Sequence, residues 1–92
     1  MNESKGYKPS ILIVDDSEMN RAILTDMLEG EYNIIEAVDG QEAVNILEHQ
    51  AEEISLVLLD IVMPNMDGFG VLKIMNQKKW IENVPVIMIS SE

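Results

Sequence analysis

The sequence predicts an α/β domain built on a doubly wound parallel sheet. Short apolar runs alternate along the chain with segments of helical periodicity, in the order β-α-β-α-β-α-β. Two of these runs, residues 11–14 and 56–59, are apolar throughout, which is typical of strands covered on both faces. The right-handed crossover rule then places helices on both faces of a parallel sheet.

The first half of the chain supplies two strands and two helices. Residues 11–15 are predicted as the first strand, and Ser17 can cap a helix over 18–29. The apolar stripe of this helix consists of Ile23, Leu24, Met27 and Leu28. Residues 32–37 form a second strand, followed by a helix over 41–50. Its inward-facing residues are Ala43, Val44, Ile46 and Leu47.

The second half adds two strands and one helix. Residues 54–60 are predicted as the third strand, and Asp67 and Gly68 open the third helix. The buried side of that helix consists of Val71, Leu72, Ile74 and Met75. Residues 86–90 form the fourth strand. Residues 1–9 are predicted to be a flexible N-terminus and residues 10–92 the domain.

Composition limits the kinds of partner. Seventeen acidic residues against six basic ones give a net charge of −11, so no basic stripe is present to bind nucleic acid through this segment. No apolar run approaches the roughly 20 residues of a membrane span, and the N-terminus lacks a signal-peptide pattern. With no cysteine, thiolate metal sites are excluded, and we expect a cytoplasmic protein without membrane contact.

Acidic residues stand where two buried strands end. Asp15 and Asp16 follow the first apolar run, and Asp60 follows the run 56–59. The carboxyl ends of parallel strands meet at one edge of the sheet, where open α/β proteins build their sites. Three carboxylates that converge there repel one another and call for a cation. The sequence therefore predicts a divalent-metal site with one acid placed for chemistry.

Further motifs extend this pattern. Met63-Pro64-Asn65-Met66-Asp67-Gly68 lies just beyond Asp60, and Pro85-Val86-Ile87-Met88-Ile89-Ser90 reads as a strand that ends in a hydroxyl. From about Ser10 onward, these motifs together resemble the receiver domain of two-component response regulators, the family that includes the chemotaxis regulator. The resemblance implies a flavodoxin-like fold whose last helix, strand and helix are missing from this chain.

The resemblance also implies roles for individual residues. Asp60 would be the phosphoacceptor, taking a phosphoryl group from a histidine kinase or phosphotransfer protein. Asp16 and Asp60 would ligate Mg²⁺ directly, Asp15 largely through a metal-bound water, and the Val62 carbonyl would complete the protein ligands. Mg²⁺ prefers such hard oxygen ligands, and phosphoryl transfer depends mainly on positioning and charge neutralisation.

Two more roles follow from the same resemblance. Ser90 would be the switch hydroxyl that bonds the phosphoryl group, and positions Val62 and Glu92 would tune dephosphorylation. Such a domain is a signalling switch rather than an enzyme, because it promotes only its own phosphorylation and dephosphorylation.

Three alternatives compete with this function. A family lysine that pairs with the phosphoryl group has no counterpart after Ser90, since the lysines are Lys5, Lys8, Lys73, Lys78 and Lys79. We therefore expect poor phosphorylation, and the alternative is a truncated, non-phosphorylatable fragment that self-associates as a homodimer or oligomer. A dehalogenase-type phosphatase would need a second acid at Val62. A nucleotide-hydrolysing enzyme would need a G-x-x-x-x-G-K loop, which is absent.

Overall fold

The computed structural model describes residues 8–90, which form one parallel sheet with helices on both faces. The strands are β1 (Ser10–Val14), β2 (Asn33–Ala37), β3 (Ile54–Asp60) and β4 (Val86–Ile89). They lie in the sheet in the order β2-β1-β3-β4. The α-helices are α1 (Glu18–Leu28), α2 (Gly40–Gln50) and α3 (Gly68–Gln77), and 3-10 turns at Ala51–Glu53 and Trp80–Glu82 lie ahead of β3 and β4. The predicted doubly wound parallel fold is confirmed.

Element boundaries agree with the sequence to within one or two residues. The first strand ends at Val14 rather than Asp15, and the fourth ends at Ile89 rather than Ser90. In both places the polar residue comes just after the strand instead of closing it. The predicted flexible N-terminus lies mostly outside the described residues. Its last residue, Pro9, accepts a 2.9 Å hydrogen bond from the amide of Asn33 at the start of β2.

Each α-helix begins at a polar residue whose side chain caps it. The capping residues are Ser17, Asp39 and Asp67, and each accepts a hydrogen bond from the amide three residues later, at 3.2, 2.8 and 2.9 Å. These bonds satisfy one of the amides that the first turn of a helix leaves unpaired. All three helix starts therefore follow from local sequence, and all three lie at the carboxyl edge of the sheet.

One face of the sheet carries the main core, which α2 and α3 cover. Its buried members are Leu12, Val14, Ala37, Ala43, Leu47, Ile54, Val57, Leu59, Met63, Val71, Met75 and Val84. Trp80 is half-buried and packs on the same cluster from the turn before β4. Of the predicted inward residues of α2 and α3, Ala43, Leu47, Val71 and Met75 are buried in this cluster, and Ile46 packs against it half-buried. The other three, Val44, Leu72 and Ile74, are half-buried but are not part of the cluster.

The other face is covered by α1 and buries fewer side chains, so we call it the thin face. Its buried residues are Ile11, Ile13 and Leu58, and Leu24 and Leu28 of α1 pack against them half-buried. The predicted apolar stripe of α1 is wrong for Ile23 and Met27, which are 51% and 72% exposed. Since each residue advances about 100° around a helix, only one edge of that wide stripe reaches the sheet.

The sheet exposes β4 at one edge. The order β2-β1-β3-β4 leaves no further strand beyond β4 within the described residues, and Ile87 on β4 is 52% exposed. Strand β4 is therefore an apolar edge of the described sheet. Among the helices of residues 8–90, none is both long enough and apolar enough to cross a bilayer.

Candidate metal and phosphoacceptor site

Three carboxylates meet at the carboxyl edge of the sheet. Asp15 and Asp16 directly follow β1, Asp60 is the last residue of β3, and β1 and β3 are neighbours. One side-chain oxygen from each acid lies within 4.8 Å of the others. The structure thus brings together the three acids that the sequence singled out.

The acids differ in their exposure to water. Asp15 and Asp60 are only 4% and 2% exposed, whereas Asp16 is open to solvent. Burial raises the pKa of the Asp60 carboxyl above its ordinary value of 3.8, and the negative charge of Asp15 raises it further. The Val62 amide, which donates to Asp60 Oδ1 at 3.3 Å, lowers this pKa, and the charge of Asp16 adds a further increase. The ionised form of Asp60 is therefore disfavoured at this edge of the sheet.

At Gly68 the chain passes close to the main chain of Asp60 and Ile61. The amide of Gly68 donates to the Ile61 carbonyl at 2.9 Å. A Cβ placed on Gly68 would lie 2.4 Å from the Asp60 carbonyl oxygen, which is closer than real atoms approach. Asn65 makes the preceding turn in a left-handed conformation with φ of 69°, which asparagine adopts more readily than most residues. Glycine is therefore needed where α3 begins against the end of β3.

The second carboxylate, Asp15, is held from several directions. The Ser17 amide donates to its Oδ1 at 2.8 Å, and the Asn20 side-chain amide donates to its Oδ2 at 3.4 Å. Arg21 Nη1 donates to the Asp15 main-chain carbonyl at 2.7 Å, and Arg21 Nε donates to Glu36 Oε1 at 2.9 Å. Asp15 is thus held by Ser17, which caps α1, and by Asn20 and Arg21 on α1.

Sequence reasoning missed Asn20, Arg21 and Glu36. The available signal was weak: Arg21 is the sole arginine of the chain and follows the acidic pair by about one and a half helical turns. Nothing in the pattern pointed to Glu36, fifteen residues further on, since that contact depends on how α1 packs against β2.

Ser90 and Val62, which the sequence also singled out, follow the carboxyl ends of β4 and β3. Ser90 directly follows β4, whose last residue, Ile89, is in register with Asp60. Val62 is 55% exposed, two residues beyond Asp60. The switch role of Ser90 and the metal-ligand role of the Val62 carbonyl stay predictions. Glu92 lies outside the described residues.

The donor set suits a hard divalent cation. Three carboxylates in mutual proximity offer oxygen atoms only, and two of them are buried among like charges. Oxygen donors of this kind match Mg²⁺, which is typically held by one or two carboxylates together with water. A cation at this edge would offset the repulsion that raises the pKa of Asp60.

Comparison with known proteins identifies the class of this domain. The family model "Response regulator receiver domain" matches residues 11–92, and the chain belongs to that family. It is 33% identical over 89 residues to the two-component response regulator ORR5 of rice, covering 96% of this chain and 66% of ORR5. It is 38% identical over 85 residues to the probable transcriptional regulator ycf27 of Porphyridium aerugineum, covering 91% of this chain and 33% of that protein.

Solved structures show the same fold. The chain resembles one in the CheX-CheY-BeF3-Mg²⁺ complex from Borrelia burgdorferi, with a TM-score of 0.84, 41% identity, and coverage of 100% of this chain and 69% of that one. It also resembles the response regulator TrrA from Thermotoga maritima in complex with Mg²⁺-BeF, with a TM-score of 0.82, 32% identity, and coverage of 91% and 70%. The chain thus spans about two thirds of these relatives, and one third of the ycf27 regulator.

Proposed function

We propose that this chain is a phosphoacceptor receiver that takes a phosphoryl group onto Asp60 from a histidine kinase or phosphotransfer protein, with Mg²⁺ as cofactor. The observation that carries the proposal is the burial of Asp60 at the end of β3, where the carboxylates of Asp15 and Asp16 meet it. A lone surface carboxylate could not hold a cation that would neutralise and position an incoming phosphoryl group.

Transfer requires an ionised, correctly aimed Asp60. One of its carboxylate oxygens forms the new O–P bond as the N–P bond of the phosphohistidine breaks, and the donor imidazole keeps the electron pair. The Val62 amide orients the nucleophile through its bond to Oδ1 and favours the ionised form. Asp15, Asp16, Asp60 and the Val62 carbonyl would hold Mg²⁺, which supplies charge neutralisation for the donor's phosphoryl oxygens.

The relatives support the cofactor and the setting. Two similar structures were solved with Mg²⁺ and beryllium fluoride, and one of them is a complex with CheX. For this chain the proposed partner is a phosphohistidine-bearing kinase or phosphotransfer protein in the cytoplasm. In this proposal Ser90 bonds the bound phosphoryl group, and the chain acts as a switch that promotes only its own phosphorylation and dephosphorylation.

A second candidate is self-association without phosphorylation. Strand β4 lies at the sheet edge with Ile87 half-exposed, and an open apolar edge can pair with another copy. Size-exclusion chromatography with light scattering tests this candidate. A monomer at high protein concentration would rule it out, and a dimer broken by Ile87→Lys would support it.

The phosphoacceptor proposal is tested by intact-mass measurement after incubation with acetyl phosphate, with and without Mg²⁺. We expect a Mg²⁺-dependent gain of one phosphoryl group that Asp60→Asn abolishes. Asp26→Asn is a matched control, because it removes one negative charge from an exposed position on α1. Absence of any gain, or a gain that persists in Asp60→Asn, would contradict the proposal.

A further inference from the structure

We propose that Arg21 is a positioning residue that holds the Asp15–Asp16 turn in the arrangement that binds Mg²⁺. This inference rests on the metal site of the proposed function and assigns part of its geometry to a residue outside the ligand set. Arg21 would act by geometry rather than by its charge.

The Arg21 side chain bridges three parts of the fold. It is only 12% exposed. Its Nη1 donates to the Asp15 carbonyl at 2.7 Å, and its Nε donates to Glu36 on β2 at 2.9 Å. Because the guanidinium is planar and rigid, two bonds to different acceptors fix the distance between them. The turn after β1 is therefore tied both to α1, which carries Arg21, and to β2.

The anchor on β2 is itself held in place. Glu36 Oε2 accepts a hydrogen bond at 3.1 Å from the hydroxyl of Thr25, which lies one helical turn beyond Arg21 on α1. Both carboxylate oxygens of Glu36 are thus paired, one with Arg21 and one with Thr25. The carboxylate has little freedom to swing away, so the guanidinium rests on a fixed acceptor.

The tethered turn is the one that electrostatic repulsion would open. Asp15 leaves the sheet after a last ladder bond from its amide to the Ala37 carbonyl, and its own carbonyl is bonded by Arg21. Its carboxylate lies beside those of Asp16 and Asp60. Loss of the tether would leave the Asp15 carbonyl without this donor and let the acids move apart. The tether keeps the acids in place before a cation arrives.

Charge and geometry make different predictions for Arg21→Lys. The Arg21 charge is paired with Glu36 at 2.9 Å, so the carboxylate of Glu36 offsets part of its field at the acids. Lysine keeps the charge but loses the two-pronged donor. If geometry matters, Arg21→Lys and Arg21→Gln both weaken Mg²⁺ binding. If charge matters, Arg21→Lys behaves like the wild-type protein.

The test measures the Mg²⁺ dissociation constant by calorimetry for the full chain and its variants. We expect both Arg21 variants to raise Kd by roughly tenfold, as outer partners of metal ligands typically do when removed. Two controls separate this from lost stability. Val84→Ala opens the buried core without touching the acids, and Lys78→Gln breaks the exposed pair with Glu48. Both controls should keep the wild-type Kd.

A metal-free measurement supplies a second readout. The Ser17 amide donates to Asp15 Oδ1, so its hydrogen exchange reports on the turn. We expect exchange at Ser17 to accelerate about threefold to tenfold in Arg21→Lys, with no change at Val57, whose amide bonds to the Pro85 carbonyl. Thr25→Val, which removes one anchor of Glu36, should give a smaller change in the same direction.

The outcomes separate the two proposals. Wild-type Kd in both Arg21 variants, or in Arg21→Lys alone, would overturn the positioning role. Wild-type protein that binds no Mg²⁺ would contradict the metal in the proposed function, and Ser17 exchange would then decide the role of Arg21. An unchanged exchange rate at Ser17 would overturn that role as well.

Discussion

The two faces of the sheet are built differently. Among the described residues, the α2–α3 face buries a continuous cluster of twelve side chains, whereas the α1 face buries three and surrounds them with half-buried ones. Both faces use the same strands, and neighbouring residues such as Leu58 and Leu59 belong to opposite clusters. The difference therefore arises from the helices that cover each face.

The side chains of Asp15 and Asp60 lie on the same side of the sheet as the thin face. Side chains alternate along a strand, so Asp60 continues the row of Leu58, and Asp15 continues the row of Ile13, both of which belong to the α1 face. Most of the apolar burial therefore lies on the α2–α3 face, whereas the buried acids Asp15 and Asp60 lie on the side that α1 covers. We expect stability and site geometry to respond to different substitutions.

The largest loss is expected from Leu47→Ala on α2. Leu47 is fully buried in the main core, and removing a buried leucine side chain typically costs about 2–5 kcal/mol of unfolding free energy. Urea denaturation followed by Trp80 fluorescence measures it, because Trp80 packs on that cluster. A loss below about 1 kcal/mol would mean that this face is not the main source of stability.

Gly68→Ala should cost about 1–3 kcal/mol, since the added Cβ would clash with the Asp60 carbonyl. The same variant should impair Mg²⁺-dependent phosphorylation, because relief of the clash moves the end of β3. Gly30→Ala is the control, as nothing lies within 4 Å of a Cβ there. Equal unfolding free energies for the two variants would contradict the close approach.

Leu24→Ala tests the thin face with the same chemical change as Leu47→Ala. Leu24 is half-buried against the smaller cluster, so less apolar area returns to water and we expect a loss of about 1–2 kcal/mol. Denaturation under identical conditions gives the ratio of the two leucine effects. A loss as large as that of Leu47→Ala would remove the contrast between the faces.

Asp60→Asn should act in the opposite direction. The raised pKa of Asp60 means that the folded state binds its proton more tightly than the unfolded state, so the ionised carboxylate destabilises the fold above that pKa. Without Mg²⁺, the variant should be more stable than wild type at neutral pH. This advantage should shrink as pH falls through the raised pKa toward 3.8. Thermal unfolding of both proteins across that range tests it, and a pH-independent difference would contradict it.

The smallest effect is expected from Met27→Gln. Met27 is 72% exposed on α1, and glutamine has a similar helix propensity. The unfolding free energy should change by no more than about 0.5 kcal/mol. A loss comparable to that of Leu24→Ala would show that Met27 is covered in solution, for example by a second copy of the chain.

Local sequence was sufficient for the element order and for the acids of the site. Apolar runs, helical periodicity and the caps at Ser17, Asp39 and Asp67 act within a few residues, so they can be read along the chain. The convergence of Asp15 and Asp60 was also predictable, because parallel strands bring their carboxyl ends to one edge. The site prediction was specific because it depended on several motifs that follow one another along the chain, and not on one acidic residue.

Other features were decided only by tertiary packing. Arg21 and Glu36 are fifteen residues apart, and their contact depends on how α1 lies against β2. The exposure of Met27 depends on which part of a wide apolar stripe meets the sheet. The raised pKa of Asp60 arises from burial and from the acids that follow the neighbouring strand β1. Sequence patterns encode the periodicity of each element, whereas the angle and depth at which elements pack are set by contacts between residues distant in the chain.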